Sequence, residues 1–593
     1  MPPDFTPRFQ LAGQLISQRK HEQARQVFLK ILQQAPGHPD ASNGMAIVLE
    51  GLGQLDQALY HAQRASASRP TDGAILNTLA SLLTKLERFD ESIPLLRKAK
   101  ELEPGLAAVR GNLVNGLWNA GRCTESTREL RQMLAETPGD PSVVQRLATK
   151  LTVLARSSEG VALCRSVLPQ AGNDVDLTRA LATCLLNDPS ASVEQVVEGH
   201  RLAGAAVLHA AGGRSNPVSI FPNTREPDRP LRVGFVSPDF RQHSVSFFVE
   251  SLIERIDRKA FQILCYSNAD GGDAVTARLR KAASDFKIIT AMSDAEAGAT
   301  IVKDRVDILI DLAGHTVGTR LGIFAMRAAP IQMTYCGYPA TTGVPTIDIR
   351  VVDSSTDPEG SESQCTERLV RLDPSFLCYR PPTDAPSPSP PPSIASGVVT
   401  FGSFNATSKL NDDVIALWSR VLHRIERSRL VLKAHSLADP EFRAYLHNAF
   451  AKCGIEQSRV EFLPATKGLV EHLQTYAKVD IGLDPFPYHG TTTTCEAAHM
   501  GVPTITLRGS MHHSRVGPAL LGHLGLSDFV ATTPDEYVAI AAGLAGDAPR
   551  CASIRDSLRA TLAASPLGNV DAFAARFSAM LRSQWVAFCG NAH

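Results

Sequence analysis

Residues 484–503 read DPFPYHGTTTTCEAAHMGVP. The short apolar run DIGLD leads into them, a Pro- and Gly-containing loop follows, and four consecutive threonines open a helix-forming stretch. That succession predicts a strand ending near Asp484, a loop, and a helix that begins among the threonines. A strand followed at once by a helix is the building unit of a parallel sheet. Hydroxyls and backbone N–H groups at a helix N-terminus form an anion site, reinforced by the helix dipole, and a nucleotide diphosphate fits such a site. Plain capping needs one hydroxyl, so four in a row exceed it. Glu496, about one turn into the helix, is placed to accept hydrogen bonds from ribose hydroxyls, as acidic residues do in other nucleotide folds.

Working outward, VVTFGSF, SRLVLKAH, VEFLPA and PTITLRG repeat the same strand texture between helical segments. An earlier set, LRVGFVS, FQILCYS, VDILIDLAG and IDIRVVD, begins after Pro230. These predict two doubly wound α/β lobes, residues 227–380 and 398–593, facing one another across a cleft. Between them residues 381–397, PPTDAPSPSPPPSIASG, hold seven prolines and read as a stiff extended linker. Open α/β sheets bind ligands at the carboxyl ends of their strands. No GxGxxG follows a strand and no GxxxxGK[ST] occurs, which argues against a dehydrogenase or a P-loop kinase.

Three further side chains are candidates by position. Lys409, in GSFNATSKLNDD, lies between a strand end and a helix started by Asn411 or Asp412, where a cation could neutralise charge growing on a departing phosphate. The alternative is a surface lysine. His243, in VGFVSPDFRQHSVSFF, follows the first strand of the first lobe, and a neutral imidazole there could take a proton from a hydroxyl or orient a substrate. His472, in GLVEHLQTYAKVD, lies on a helix before the DIGLD strand, where its ring could stack on a nucleobase or simply face solvent.

The first third is periodic. Pro36, Pro70, Pro104 and Pro138 recur every 34 residues, with Ala24, Ala58, Ser92, Ser126 and Gly160 in one phase and Ala12, Ala46, Ala80, Val114 and Ala148 in another. Small residues let two antiparallel helices approach, and proline ends the second helix of each pair. This is the tetratricopeptide period. It predicts roughly five stacked repeats over residues 1–176, an all-α solenoid that binds extended peptide. Asn43 and Asn77 fall in phase and could hold a peptide backbone, although Gly111 and Gln145 occupy the next two places. Residues 177–226 read as connecting helices and a loop, GGRSNPVSIFPNTREPDRP. The D-x-D at Asp174 and Asp176 falls among helices and reads as a solvated turn, so it gives no support for a metal-bridged diphosphate.

At 593 residues the chain needs several cores. Lys+Arg and Asp+Glu are both 60, the pI is about 7.3, and no basic block stands out, which argues against nucleic acid as a partner. The N-terminus MPPDFTPRFQLAGQL has no basic start with an apolar core, and no apolar run of 18 occurs. The expectation is a cytoplasmic protein without a membrane span. The 11 cysteines lack CxxC pairs or zinc-type His spacing, so neither disulfides nor a structural metal are expected, and no cofactor.

Taken together, RVGFVSPDFRQHSVSFF, APIQMTYCGYPATTG, FGSFNATSKL and LDPFPYHGTTTTCEAAHMGVP resemble the SPINDLY and O-GlcNAc transferase family, glycosyltransferase family 41, over nearly the whole chain. The resemblance implies a GT-B catalytic domain of two Rossmann-like lobes that performs metal-independent, inverting transfer from a nucleotide sugar to Ser or Thr hydroxyls of proteins. By the same resemblance Lys409 matches the phosphate-contacting lysine, His243 the active-site histidine, His472 the base-stacking histidine, and Thr491, Thr492 and Thr493 the diphosphate-binding stretch. Glu496 stands where the animal enzymes have a ribose-holding aspartate. The TTTTCE string looks closer to plant SPINDLY proteins, which transfer fucose from GDP-fucose, whereas HSRVG at 513–517 resembles the O-GlcNAc transferases. The short linker leaves no room for the extra inter-lobe domain of the animal enzymes.

These readings lead to O-GlcNAc transfer from UDP-GlcNAc as the expected activity, with O-fucosyl transfer from GDP-fucose as the alternative and a non-catalytic repeat scaffold third. The expected partners are the donor and protein acceptors along the array. A homodimer is left open.

Overall fold

The structure, a computed structural model, describes residues 4–212 and 221–590. The opening part of the loop expected as a domain boundary, 213–220, lies outside the described residues. The chain divides into two compact units, one of residues 1–138 with 438–442, the other of 139–437 with 443–593.

The first unit is a run of antiparallel helix pairs: Thr6–Ser17 with His21–Gln34, Pro39–Gly51 with Leu55–Ser68, Gly73–Lys85 with Phe89–Leu102, and Ala107–Asn119 with Cys123–Glu136. Pro36, Pro70, Pro104 and Pro138 each stand two residues past a helix end. The small residues of both phases are buried where helices cross. Two of them also bond: Ser92 Oγ donates to Ala80 O at 2.8 Å, and Ser126 Oγ to Val114 O at 2.7 Å. The turn inside each pair is left-handed at Arg19, Gly53, Glu87, Gly121 and, in the following unit, Ala155 (φ 55°, 73°, 57°, 74° and 60°). The same 34-residue spacing thus governs a backbone conformation that only two of the five positions meet with glycine.

In the second unit the helices Pro141–Val153, Ser157–Ala171, Val175–Asn187 and Val193–Ala210 pair among themselves in the same way, so the array end expected at 176 falls within that helical series. The last helix lies against the first sheet domain at a contact that requires glycine. A Cβ on Gly204 would sit 2.0 Å from the carbonyl carbon of Gly343, and one on Gly343 would sit 2.0 Å from His200 O. His200, fully buried, donates from Nδ1 to Val196 O at 2.7 Å, and its Nε2 accepts from the Tyr338 hydroxyl at 2.8 Å.

The first sheet contains β1 (Leu231–Ser237), β2 (Phe261–Ser267), β3 (Asp285–Ile288), β4 (Ile308–Asp311), β5 (Ile331–Thr334), β6 (Ile349–Val352) and β7 (Arg368–Arg371). Their order is β3-β2-β1-β4-β5-β6-β7, all parallel. The second contains β8 (Val399–Ser403), β9 (Ser428–Lys433), β10 (Val460–Leu463), β11 (Ile481–Leu483), β12 (Thr504–Leu507) and β13 (Val530–Ala531), ordered β10-β9-β8-β11-β12-β13 and also parallel. Strand order reverses between β1 and β4 and between β8 and β11, the switch points where such sheets receive ligands. The expected all-α array followed by two α/β lobes is what the chain forms.

Two details differ from the sequence expectation. The segment assigned to the second lobe ends in a helix, Val570–Gly590, whose Phe573, Phe577 and Trp585 are fully buried in a core shared with β1 and β2 of the first lobe. Trp585 Nε1 donates to Glu226 O at 3.0 Å. The Pro-rich linker closes on a short helical turn, Ser393–Ser396, and is fastened to the second lobe. Asp480 Oδ1 accepts from Ser393 N at 3.0 Å and from its hydroxyl at 2.7 Å, and Arg555 donates to Ser389 O. The lobes meet directly where His512 Nδ1 bonds Asp357 Oδ2 at 2.5 Å.

Candidate active site

β8 and β11, neighbours at the switch point of the second sheet, deliver the two loops of the site. After β8 the chain makes a 3-10 turn, Thr407–Lys409. Thr407 Oγ1 pins it by donating to Val153 O at 2.6 Å, the end of a repeat-type helix. Asn411 then caps the helix Asp412–Arg424, accepting from Val414 N at 2.9 Å, while its amide donates to Phe486 O at 2.7 Å. One asparagine thereby holds the two loops together.

Lys409 lies in that junction. Its Nζ donates to His489 O at 2.6 Å and to Asn405 Oδ1 at 3.3 Å, and lies 4.2 Å from the centre of the Tyr488 ring. These partners are all neutral, and among the described residues no carboxylate reaches Lys409 at ion-pair distance. Burial pushes its ammonium down to about 8, opposed by the charge of Asp484. Asp484, buried at the end of β11, accepts from Gly490 N at 2.7 Å and Thr506 Oγ1 at 2.9 Å, and burial raises its carboxyl to about 7. His489 is fully buried, donates from Nε2 to Leu507 O at 2.9 Å, and is held down to about 3 by burial, so its ring is neutral.

The threonines open the helix Thr492–His499. Thr491 occupies the cap position without a side-chain capping bond, which leaves first-turn N–H groups without intrahelical partners. Thr493 Oγ1 donates to Asn405 Oδ1 at 2.9 Å, and Thr494 Oγ1 turns back to Gly490 O at 3.0 Å. One turn on, buried Glu496 receives His472 Nε2 at 3.1 Å on Oε2. His472, on the helix Leu469–Gln474, is bonded at its other nitrogen, Nδ1, by Lys433 Nζ at 2.6 Å.

Thus Lys409, Thr491, Thr492, Thr493, His472 and Glu496 gather around one face of the second lobe. His243 stands apart, in the loop after β1. Val245 N donates to its Nδ1 at 3.3 Å, Asp239 Oδ2 lies 3.5 Å from the same nitrogen, and partial burial lowers its ring. Asn43 and Asn77 belong to the repeat unit. Asn43 Oδ1 is buried without a partner, whereas Asn77 Oδ1 accepts from Asn112 Nδ2 at 2.9 Å; the polar row continues at Asn112 rather than at the in-phase Gly111. Sequence reasoning missed Asn405, Asp484 and Lys433 as site members. Asp484 and Lys433 stand at strand carboxyl ends, the signal that would have found both. Among the described residues no group of three or more His, Cys, Asp or Glu is arranged to hold a metal ion, and no helix is long and apolar enough to cross a membrane.

A tetratricopeptide repeat model matches residues 15–82. The chain is 40% identical over 371 residues to the Arabidopsis thaliana protein named probable UDP-N-acetylglucosamine-peptide N-acetylglucosaminyltransferase SPINDLY, covering 62% of this chain and 41% of that one. A second Arabidopsis protein, named probable UDP-N-acetylglucosamine-peptide N-acetylglucosaminyltransferase SEC, is 28% identical over 372 residues, covering 61% and 38%. The chain therefore spans about two fifths of the length of these relatives. The solved structure of a lysine-to-methionine variant of the Thermobaculum terrenum O-GlcNAc transferase superposes with a TM-score of 0.77 at 29% identity, over 94% of this chain and 98% of that one. The family model Glycosyl transferase family 41 matches residues 213–379 and 393–577, across both lobes, and the chain belongs to that family.

Proposed function

We propose that this chain is a protein O-glycosyltransferase that moves GlcNAc from UDP-GlcNAc to Ser or Thr hydroxyls, with inversion and without a metal. The observation that carries the reading is Lys409: a half-buried cation with neutral partners only, beside a helix N-terminus whose cap bond is not made. Both features await an anion. When the acceptor hydroxyl attacks the anomeric carbon, the bond to the diphosphate breaks and negative charge grows on the departing oxygen. Lys409 and the N–H groups at Thr491–Thr493 would meet that charge in a dry setting, where fixed dipoles act most strongly. Their positive potential does the work a divalent ion does elsewhere. His472 would lie under the base and Glu496 would hold the ribose, while His243 would approach from the first lobe to orient donor or acceptor.

The names of the SPINDLY and SEC relatives support GlcNAc as the sugar. The TTTTCE string keeps GDP-fucose as the second donor to try. The test offers the purified chain each nucleotide sugar separately, with a protein acceptor, and measures released nucleoside diphosphate. Release from UDP-GlcNAc supports the reading, release from GDP-fucose alone replaces the sugar, and release from neither, with no sugar transferred, rejects a transferase.

A further inference from the structure

Lys433, the last residue of β9, is only 4% exposed. Burying an ammonium is costly unless its protons are used. Two contacts use them: Nζ lies 2.6 Å from His472 Nδ1 and 3.1 Å from Thr466 Oγ1. An ammonium carries three donors and no lone pair, so it must donate to both. His472 Nδ1 is therefore the acceptor, the ring proton sits on Nε2, and Nε2–H donates to Glu496 Oε2 at 3.1 Å. The direction of every bond in the chain Lys433–His472–Glu496 follows from the one group that cannot accept.

The imidazole is consequently tied at both nitrogens and cannot rotate about its own axis without breaking two bonds. Phe404 and Tyr476 meet it in T-shaped contacts, with centroids 6.1 and 5.8 Å away. The His472 side chain still keeps 23% of its surface open. A ring fixed in plane and tautomer, with part of its surface free, is a preorganised stacking platform.

We propose that Lys433 is a positioning residue for the donor's nucleoside: through Nδ1 it fixes the neutral, Nε2-protonated form and the plane of His472, which aims one Glu496 oxygen and leaves Oε1 for the ribose. This rests on the reading above, in which His472 and Glu496 hold the nucleoside of a nucleotide sugar. Lys433 touches neither the sugar nor the diphosphate in this scheme, and its effect passes entirely through His472. The carboxylates of Glu496 and Glu471 sustain its charge against burial, which lowers its pKa.

The test compares Lys433→Met with the intact chain, using UDP, GDP and inorganic pyrophosphate as probes in calorimetry, and steady-state kinetics with the accepted donor. A lost charge-assisted hydrogen bond should weaken binding of the accepted nucleoside diphosphate, and raise donor KM, about ten- to thirty-fold, while kcat falls far less. Pyrophosphate, which has no base or ribose, should bind as before. Lys433→Arg should recover binding to within a few-fold, and in a His472→Ala background Lys433→Met should have no further effect. If the Met variant melts early, Lys433→Gln takes its place. Equal losses for nucleotide and pyrophosphate, additive effects in the double variant, or unchanged affinity in a folded variant would overturn the proposal. If the intact chain binds neither nucleoside diphosphate, the donor reading itself fails. If it binds one, and Lys409→Met abolishes turnover while Lys433→Met is silent, the donor reading stands and this inference alone falls.

Discussion

Asn405 Oδ1 accepts from both Lys409 Nζ, at 3.3 Å, and Thr493 Oγ1, at 2.9 Å. A single amide oxygen therefore sets the spacing between the half-buried cation and the helix N-terminus. Asn405→Ala should let both drift, and loss of one charge-assisted bond, about 1.5 kcal/mol, and one neutral bond, about 1 kcal/mol, should lower kcat by up to about seventy-fold, with any fall in melting temperature modest. Steady-state kinetics beside a melting curve check it, and a kcat within twofold of the parent would mean the spacing is set elsewhere.

Lys409→Met keeps the stem and removes the charge. A group that acts mainly as the diphosphate departs should change kcat much more than donor affinity. One preorganised electrostatic contact is worth about 3 to 4 kcal/mol, on the order of a hundred- to a thousand-fold in rate. The idea is abandoned if a folded Met variant keeps kcat within a few-fold at saturating donor.

The same lysine predicts an alkaline limb. Burial brings its ammonium down to about 8, so in the free enzyme kcat/KM should fall about tenfold per pH unit above that point. Bound diphosphate favours the charged form, so the limb in kcat should move to higher pH. The loss is not unfolding driven by this group. Above about 8 and up to the ordinary lysine range the unfolded chain binds more protons than the folded one, so this group's contribution to stability rises with pH. A kcat/KM profile flat to pH 9.5 would count against Lys409 as the required cation.

Chelator should leave turnover intact, because in the proposed mechanism cation and helix N-terminus supply the positive potential between them. The check is activity after dialysis against EDTA, and loss that a divalent ion restores would rule out the metal-free scheme.

Removing residues 1–138, which with 438–442 form one compact unit, should spare slow donor hydrolysis and remove most transfer to whole proteins. Removing residues 1–210 should also destabilise what remains, since it takes away His200, the partner of the buried Tyr338 hydroxyl. Glycosylation assays and melting curves on the two truncations separate these effects, and unchanged protein glycosylation by the shorter deletion would refute the platform role.

The alternation of apolar runs with helices marked both lobes in the sequence, and the threonine helix, Asn411 as a cap and the strand end at Asp484 all follow from local chemistry. The strand end at Lys433 was legible, but its burial was not, because nothing near it in sequence distinguishes a buried ammonium from a surface one. Its partners Thr466 and His472 lie more than thirty residues away and meet it only through the sheet. The crossing of the helix Val570–Gly590 to the first lobe was hidden for the same reason. Phe573, Phe577 and Trp585 announce an apolar face, and that face does not say which lobe will cover it.

The left-handed turn within each helix pair carries a different lesson. Arg19, Glu87 and Ala155 adopt it just as Gly53 and Gly121 do, but at a local cost of about 1 kcal/mol each that glycine avoids. Packing of the pair therefore dictates the turn, and the residue merely submits. A unit whose bend is imposed by its neighbours needs no particular residue there to be copied in tandem. Duplication and drift can then lengthen or shorten the array while each new copy bends correctly from the moment it arises.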